Sequence, residues 1–177
     1  MTTYVGLLRG INVGGARRLP MAACRAAFEA GGASDVRTYI QSGNVVFDHA
    51  ADEDAALAAL VPSLARAAGF DVPLVLRTAE AWATLADRCP FDDPDPTKVH
   101  VAFRPVAPEP DPLDEVDWAP FAPEAIAVDG REVFLHLPDG MGRSKLAQRV
   151  ARVAPDATVR NRRTVDQLAA LARDRGR

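Results

Sequence analysis

Lysine is almost absent from this chain of 177 residues. Lys98 and Lys145 are the only two, and every other member of a Lys plus Arg total of 21 is arginine. With the richness in alanine, this fits a GC-rich coding bias, so the number of arginines says little and their placement says more. Cysteine is nearly as scarce. Cys24 and Cys89 are two isolated thiols, too few for a disulfide framework or a cysteine metal cluster. Aromatic residues make up only 6%. The longest apolar run, around Ala55–Val61, is far too short to span a bilayer. The N-terminal MTTYVGLLRG has no basic region before its apolar stretch and no small-residue cleavage site. A cytoplasmic protein with no membrane partner and no signal peptide is therefore expected. Net charge is −3, so the chain as a whole is no polyanion binder.

What is present is an ordinary globular composition, 48% hydrophobic and 25% charged. Thr3–Leu8 reads as a strand, Met21–Ala30 as an amphipathic helix after Pro20, and Val36–Gln41 with Asn44–Asp48 as a hairpin about Ser42-Gly43. Asp52–Ala68 is a helix in which Pro62 implies a kink or a later start. Asp71–Arg77 is a strand, and Thr78 caps a short helix carrying Trp82 and Leu85. The order β-α-β-β-α-β is that of a split βαβ, or ferredoxin-like, unit.

After the break PFDDPDPT at 90–97, the same order recurs. Lys98–Arg104 is a strand, Leu113–Trp118 one helical turn, and Ala125–Asp129 with Glu132–Leu137 a hairpin. Ser144–Val153 is a helix, Ala157–Arg160 a strand, and Thr164–Arg173 a helix with Thr164 and Gln167 in capping-box spacing. The expected fold is α+β, two ferredoxin-like (βαββαβ) halves in tandem packed together. Residues 1–89 form the first half and 90–177 the second, with a Pro/Asp-rich connector at 105–123.

Strand alternation assigns faces. Val5 and Leu7 are expected to point to the helices with Val45 and Phe47. In the second half Val99, Val101 and Phe103 are expected there with Val133, Leu135 and Leu137. His100 and His136 then become neighbours on one open face. With Glu132 they would suggest a metal or acid/base site, although a solvated face that happens to carry histidine is the plainer reading. No metal site and no cofactor is inferred.

Charge is distributed unevenly. Residues 1–20 hold Arg9, Arg17 and Arg18 and no acid, whereas 92–117 is acidic and 141–177 strongly basic. Three stretches combine bases, small residues and an element end: RGINVGGARR, GMGRSK and TVRNRRT. Each offers backbone N–H groups beside arginine or lysine, as an anion site requires. None is a recognised phosphate fingerprint. The first lacks the G-x-G-x-x-G spacing, and the second has serine before lysine, the wrong order for a P-loop. Singly, each also reads as a turn with solvated arginines. No nucleophile or general base can be named, because no histidine is placed to activate Ser42 or Ser144.

LRGINVGG, YIQSGNVVF, GRSKL and RNxxTV together resemble the bacterial family known as domain of unknown function 1697, over essentially the whole chain. The resemblance implies an α+β fold of two similar halves and no particular activity. It picks out Arg9, Gly10, Asn12, Gly14, Gly15, Ser42, Gly43, Asn44, Arg143, Ser144, Lys145, Arg160 and Asn161, which coincide with the basic, glycine-rich corners. Arg162 stands where the family usually has tryptophan, so either ligand stacking is altered or the arginine stem must snorkel. Three functions compete. The first is a site for a phosphorylated or other anionic small molecule, such as a nucleotide, at these corners. The second is a single-stranded nucleic-acid module stacking bases on Tyr4 and Phe134. The third is a protein-interaction scaffold using 105–123.

Overall fold

The computed structural model describes residues 1–174 and divides into two compact units. One is Met1–Thr84 together with the stretch from Gln167 onward, and the other is Leu85–Asp166. In the first unit, β1 (Thr2–Leu8), α1 (Met21–Ala30), β2 (Ser34–Tyr39), β3 (Asn44–His49), α2 (Glu53–Ala68), β4 (Leu74–Thr78) and α3 (Ala79–Ala83) follow in order. The sheet order is β2-β3-β1-β4, with β1 antiparallel to both neighbours. The second unit begins with α4 (Leu85–Arg88) and β5 (Val99–Phe103), followed by β6 (Ala125–Asp129), β7 (Glu132–His136), α5 (Lys145–Val153) and β8 (Thr158–Asn161). α6 (Arg162–Arg173) closes the described chain. The second sheet, β6-β7-β5-β8, repeats the first strand for strand. No helix among the described residues is long and apolar enough to cross a membrane.

Local chemistry sets most of the boundaries. Asp52 caps α2 by accepting from the Ala55 N–H at 2.9 Å, and Glu53 and Asp54 complement the helix dipole. Of the two outcomes expected from Pro62, the later start does not occur, because α2 runs from Glu53 to Ala68 with the proline inside it. Pro62 and Ala58 both lie on the exposed face, where water can take the carbonyl that lost its N–H. The first hairpin closes through a four-residue turn at 40–43, not a two-residue one, and the second through Gly130-Arg131. α6 starts two residues earlier than the capping-box spacing suggests. Its cap is Asn161, whose Oδ1 accepts from the Thr164 N–H at 3.0 Å.

The predicted faces need correction on both central strands. Tyr4 lies opposite Phe47 and Gly6 opposite Val45. Thus Tyr4 and Leu8, not Val5 and Leu7, join Val45 and Phe47 against Phe28, Leu60 and Leu64 of the helices. The Tyr4 ring stacks on Phe47 at 5.7 Å, and Phe28 meets Phe47 edge-on at 4.9 Å. In the second unit Ala102 lies opposite Val133 and packs with Leu135, Leu146 and Val150, while Val99, Val101 and Phe103 take the other face. β1 and β5 are apolar at almost every position and buried on both faces, so alternation carries no phase within them.

The predicted turn of helix at Leu113–Trp118 is absent. Residues 104–124 cross from β5 to β6 as turns and one short 3-10 segment at Ala119–Phe121. This crossover is anchored. The Arg104 guanidinium pairs with Asp111 at 2.7 Å and donates to the Gly130 carbonyl. Leu113 is fully buried, and Trp118 and Phe121 pack on the same core. These side chains do for the second sheet what a first crossover helix does for the other.

His100 lies opposite Leu135 on the helix-facing side and is buried, with its Nδ1 making no hydrogen bond among the described residues. Burial holds its imidazole below the ordinary value of 6.5. As pH falls through that value the unfolded chain takes up a proton that the folded chain refuses. His100 therefore contributes stability above about pH 6.5 that is lost below it. The urea midpoint of the wild type should drop between about pH 7 and about pH 5 more steeply than that of His100→Gln. Equal slopes would remove His100 as the cause.

Candidate functional site

The first basic corner is built from two turns that clamp each other. Leaving β1, the Leu8 N–H donates to the Gly43 carbonyl at 2.8 Å and the Arg9 N–H to the Pro73 carbonyl at 3.0 Å. Asn12 is the centre of the clamp. Its Nδ2 donates to the carbonyls of Leu19 (3.0 Å) and Gln41 (2.9 Å), and its Oδ1 accepts from the Leu19 N–H at 2.9 Å. Its backbone N–H reaches the Arg17 carbonyl at 3.0 Å. Asn44, fully buried, donates to the Tyr39 carbonyl at 3.1 Å and to Ser42 Oγ at 2.9 Å, fixing the turn from inside. Gly43 has φ of +81°, and a Cβ there would lie 2.8 Å from Leu8 Cβ and 3.0 Å from Ile11 Cδ1, so only glycine fits.

Arg17, at first sight a free cation, is also a frame member. Its Nε donates to the Gly10 carbonyl at 2.9 Å, its Nη2 to the Asp71 carbonyl at 2.5 Å, and its guanidinium sits 4.5 Å from the centre of the Phe70 ring. Arg9 is half-buried. Gly14, Gly15 and Arg18 stay exposed.

The second corner, Gly140–Lys145, leads into α5. Ser144 is buried and caps the helix, with its Oγ accepting from the Ala147 N–H at 2.8 Å. The N–H one residue earlier, that of Leu146, is taken by the Glu124 carboxylate at 3.0 Å. Arg143 and Lys145 remain exposed. Together with Lys98 they line a cavity of about 650 Å³ whose other walls include Phe121, Glu124 and Asp139. A second recess of about 290 Å³ lies against Lys145, Arg149, Arg152 and Phe121.

The third stretch does not line this cavity. Arg160 donates to Thr158 Oγ1 and the Val159 carbonyl, both at 2.9 Å, and burial pushes its guanidinium down to about 10. Asn161 spends its Oδ1 on the α6 cap. Arg162 lines a small recess together with Leu85, Val99 and Val165, and its Nε lies 3.8 Å from an Asp166 carboxylate oxygen.

The structure thus brings Arg9, Gly10, Asn12, Gly14 and Gly15 together with Ser42, Gly43 and Asn44 in one unit, and Arg143, Ser144 and Lys145 together with Lys98 in the other. Sequence reasoning missed Lys98, Glu124, Asp139 and Phe121 as cavity walls. The one available signal was Trp118 and Phe121, two large aromatics in a stretch read as connector. The histidine pair is overturned, since His136 lies opposite Val99 on the face away from His100. His136 Nε2 instead meets Asp93 at 2.8 Å beside the Phe91 ring, and that contact holds the Asp93 carboxyl below its usual range. Among the described residues no three His, Cys, Asp or Glu side chains are grouped to hold a metal. Tyr4 and Phe134 are both buried, so neither offers a base-stacking platform.

Asn12→Ala removes three hydrogen bonds and strands the Leu19 amide. It should cost roughly 2–4 kcal/mol in urea unfolding. Gly43→Ala should destabilise too, through both the positive φ and the overlap with Leu8. Unchanged midpoints in both variants would show the two turns to be independent.

No curated protein sequence matches the chain. Among solved structures, a conserved bacterial protein from Streptococcus pneumoniae, SP0830, superposes with a TM-score of 0.81 at 21% identity, covering 98% of this chain and 99% of that one. At that identity the likeness speaks for the fold. A family model described as "Protein of unknown function (DUF1697)" matches residues 1–134. Its span includes the clamped Asn12 and Gly43 turns, the crossover and most of both sheets, and the chain belongs to this bacterial family.

Proposed function

We propose that the protein binds a phosphorylated or otherwise anionic small molecule, nucleotides included, in the cavity beside the start of α5. The observation that carries this reading is the convergence of Lys98, Arg143 and Lys145 on one space of about 650 Å³. Ligand cavities of several hundred cubic ångströms with a few convergent polar groups are the usual size for a metabolite. Lys98 and Lys145 are the only lysines in the chain, and both stand here. Arg143 supplies a bidentate fork for a phosphate or carboxylate, and Phe121 an apolar wall for the remainder of the ligand. Glu124 and Asp139 keep the site from being purely cationic and suit ligand hydroxyl or amino groups.

The site supports binding, and no group in it is arranged as a nucleophile with its base. Ser144 is committed to the helix cap, and His136 is held by Asp93. The Gly14-Gly15 corner of the other unit belongs to the same chemical class, offering arginine and open backbone N–H groups.

Calorimetric titration with inorganic pyrophosphate, nucleoside phosphates and sugar phosphates tests the reading. At least one should bind, more weakly as salt is raised. Arg143→Glu and Lys145→Glu, both at exposed positions, should each weaken binding about tenfold or more, equivalent to about 1.4 kcal/mol. A ligand that binds equally well to both charge reversals removes the cavity from consideration.

A further inference from the structure

We propose that the two clamped turns of the first unit form a separate binding site, and that its ligand is a carboxylate carried on an aliphatic group. Five large hydrophobic side chains are exposed in the described chain, and two of them, Val13 at 71% and Ile40 at 52%, stand on these turns. Isolated exposed aliphatics are ordinary, but these two flank a bonded pair. Asn12 Nδ2 holds the Gln41 carbonyl at 2.9 Å, with Val13 and Ile40 one residue to either side. The turns are fixed, so the pair is presented and not merely loose.

Ile40 carries a second signal. Its φ is +48°, a left-handed conformation that a β-branched residue rarely adopts. The turn could be made with asparagine or glycine there at less strain. Keeping isoleucine holds an aliphatic side chain out in water, a pattern that belongs to binding sites and not to frames.

The polar half of the site lies on the same loop. Residues 9–18 contain three arginines and no acid. Arg17 is spent on Gly10, Asp71 and Phe70, whereas Arg18 is exposed and makes no hydrogen bond or ion pair among the described residues. Gly14 and Gly15, the two central residues of the turn from Val13 to Ala16, likewise make no hydrogen bond of their own among the described residues, and nothing lies within 4 Å of a Cβ built on either glycine. Successive open N–H groups with an arginine beside them recognise a small anion. Val13 precedes them directly in the chain and Ile40 is tied to it through the Asn12–Gln41 bond, so a ligand that reaches both halves carries charge and hydrocarbon on one small frame. A nucleotide or inorganic phosphate answers only the polar half. A peptide ending in leucine or valine and a free aliphatic acid each answer both.

The test uses the full chain and an N-terminally labelled hexapeptide ending in leucine, followed by fluorescence anisotropy. The free acid should bind, and its C-terminal amide at least about tenfold more weakly. Ile40→Gly and Arg18→Glu should each weaken the free acid by a similar factor, and Ile40→Gly should raise the urea midpoint as the strain is released. Competition by octanoate assigns the site to free acids, and its failure assigns it to peptide termini. Equal binding of acid and amide, binding unaltered in both variants, or attachment only to phosphatidylglycerol vesicles overturns the proposal. Pyrophosphate binding at the α5 cavity is measured separately, so either reading can fail alone.

Discussion

Each unit rests on a central strand that is withdrawn from water on both sides. In β1, Tyr4 and Leu8 face the helices, while Val5 and Leu7 on the opposite face are just as thoroughly buried. In β5, Ala102 faces α5 while Val101 and Phe103 fill the other side. Buried aliphatic and aromatic side chains contribute about 1.5–3 kcal/mol each, so this doubled burial dominates the stability of both sheets. It also dictates where anything functional can lie. Faces closed on both sides cannot serve as platforms, which leaves the strand ends and the loops that leave them.

Those loops are held by polar groups that replace, one for one, the hydrogen bonds that irregular backbone would otherwise lack. Asn12 does this for the turn after β1, Asn44 for the turn before β3, Ser144 for α5 and Asn161 for α6. These residues look, by type, like ligand contacts. Their side chains are instead turned inward, and what they leave outward is a smaller set: Arg18 with the Gly14-Gly15 amides in one unit, and Arg143 and Lys145 in the other. The crossover at 104–124 follows the same economy. An ion pair between buried Arg104 and half-buried Asp111 and three large side chains replace a helix, and the pairing holds the Asp111 carboxyl below the usual range.

The place where Glu124 meets Leu146 shows how such a frame shapes a site. A carboxylate from the crossover already occupies an N–H at the start of α5, so the cavity beside it is bounded by an internal anion as well as by three cations. A ligand bound as proposed would have to satisfy Arg143 and Lys145 without crowding Glu124, so geometry more than net charge would set discrimination there.

The sequence by itself determined the order of the strands and of every helix outside the crossover at 104–124, the two repeated sheets, most helix ends and the placing of bases at three loop corners. These follow from signals confined to a few neighbouring residues: glycine at turns, acids and hydroxyls before helices, and apolar residues at helical spacing. Only the tertiary structure decided which way β1 and β5 face, because a strand apolar on both sides has no phase until Phe47 is set against Tyr4 and Val133 against Ala102. Likewise only folding decided that Asn12 reaches Gln41 and that Lys98 lines one cavity with Arg143. Those residues stand 29 positions or more apart in the chain, and no local propensity encodes the distance between them.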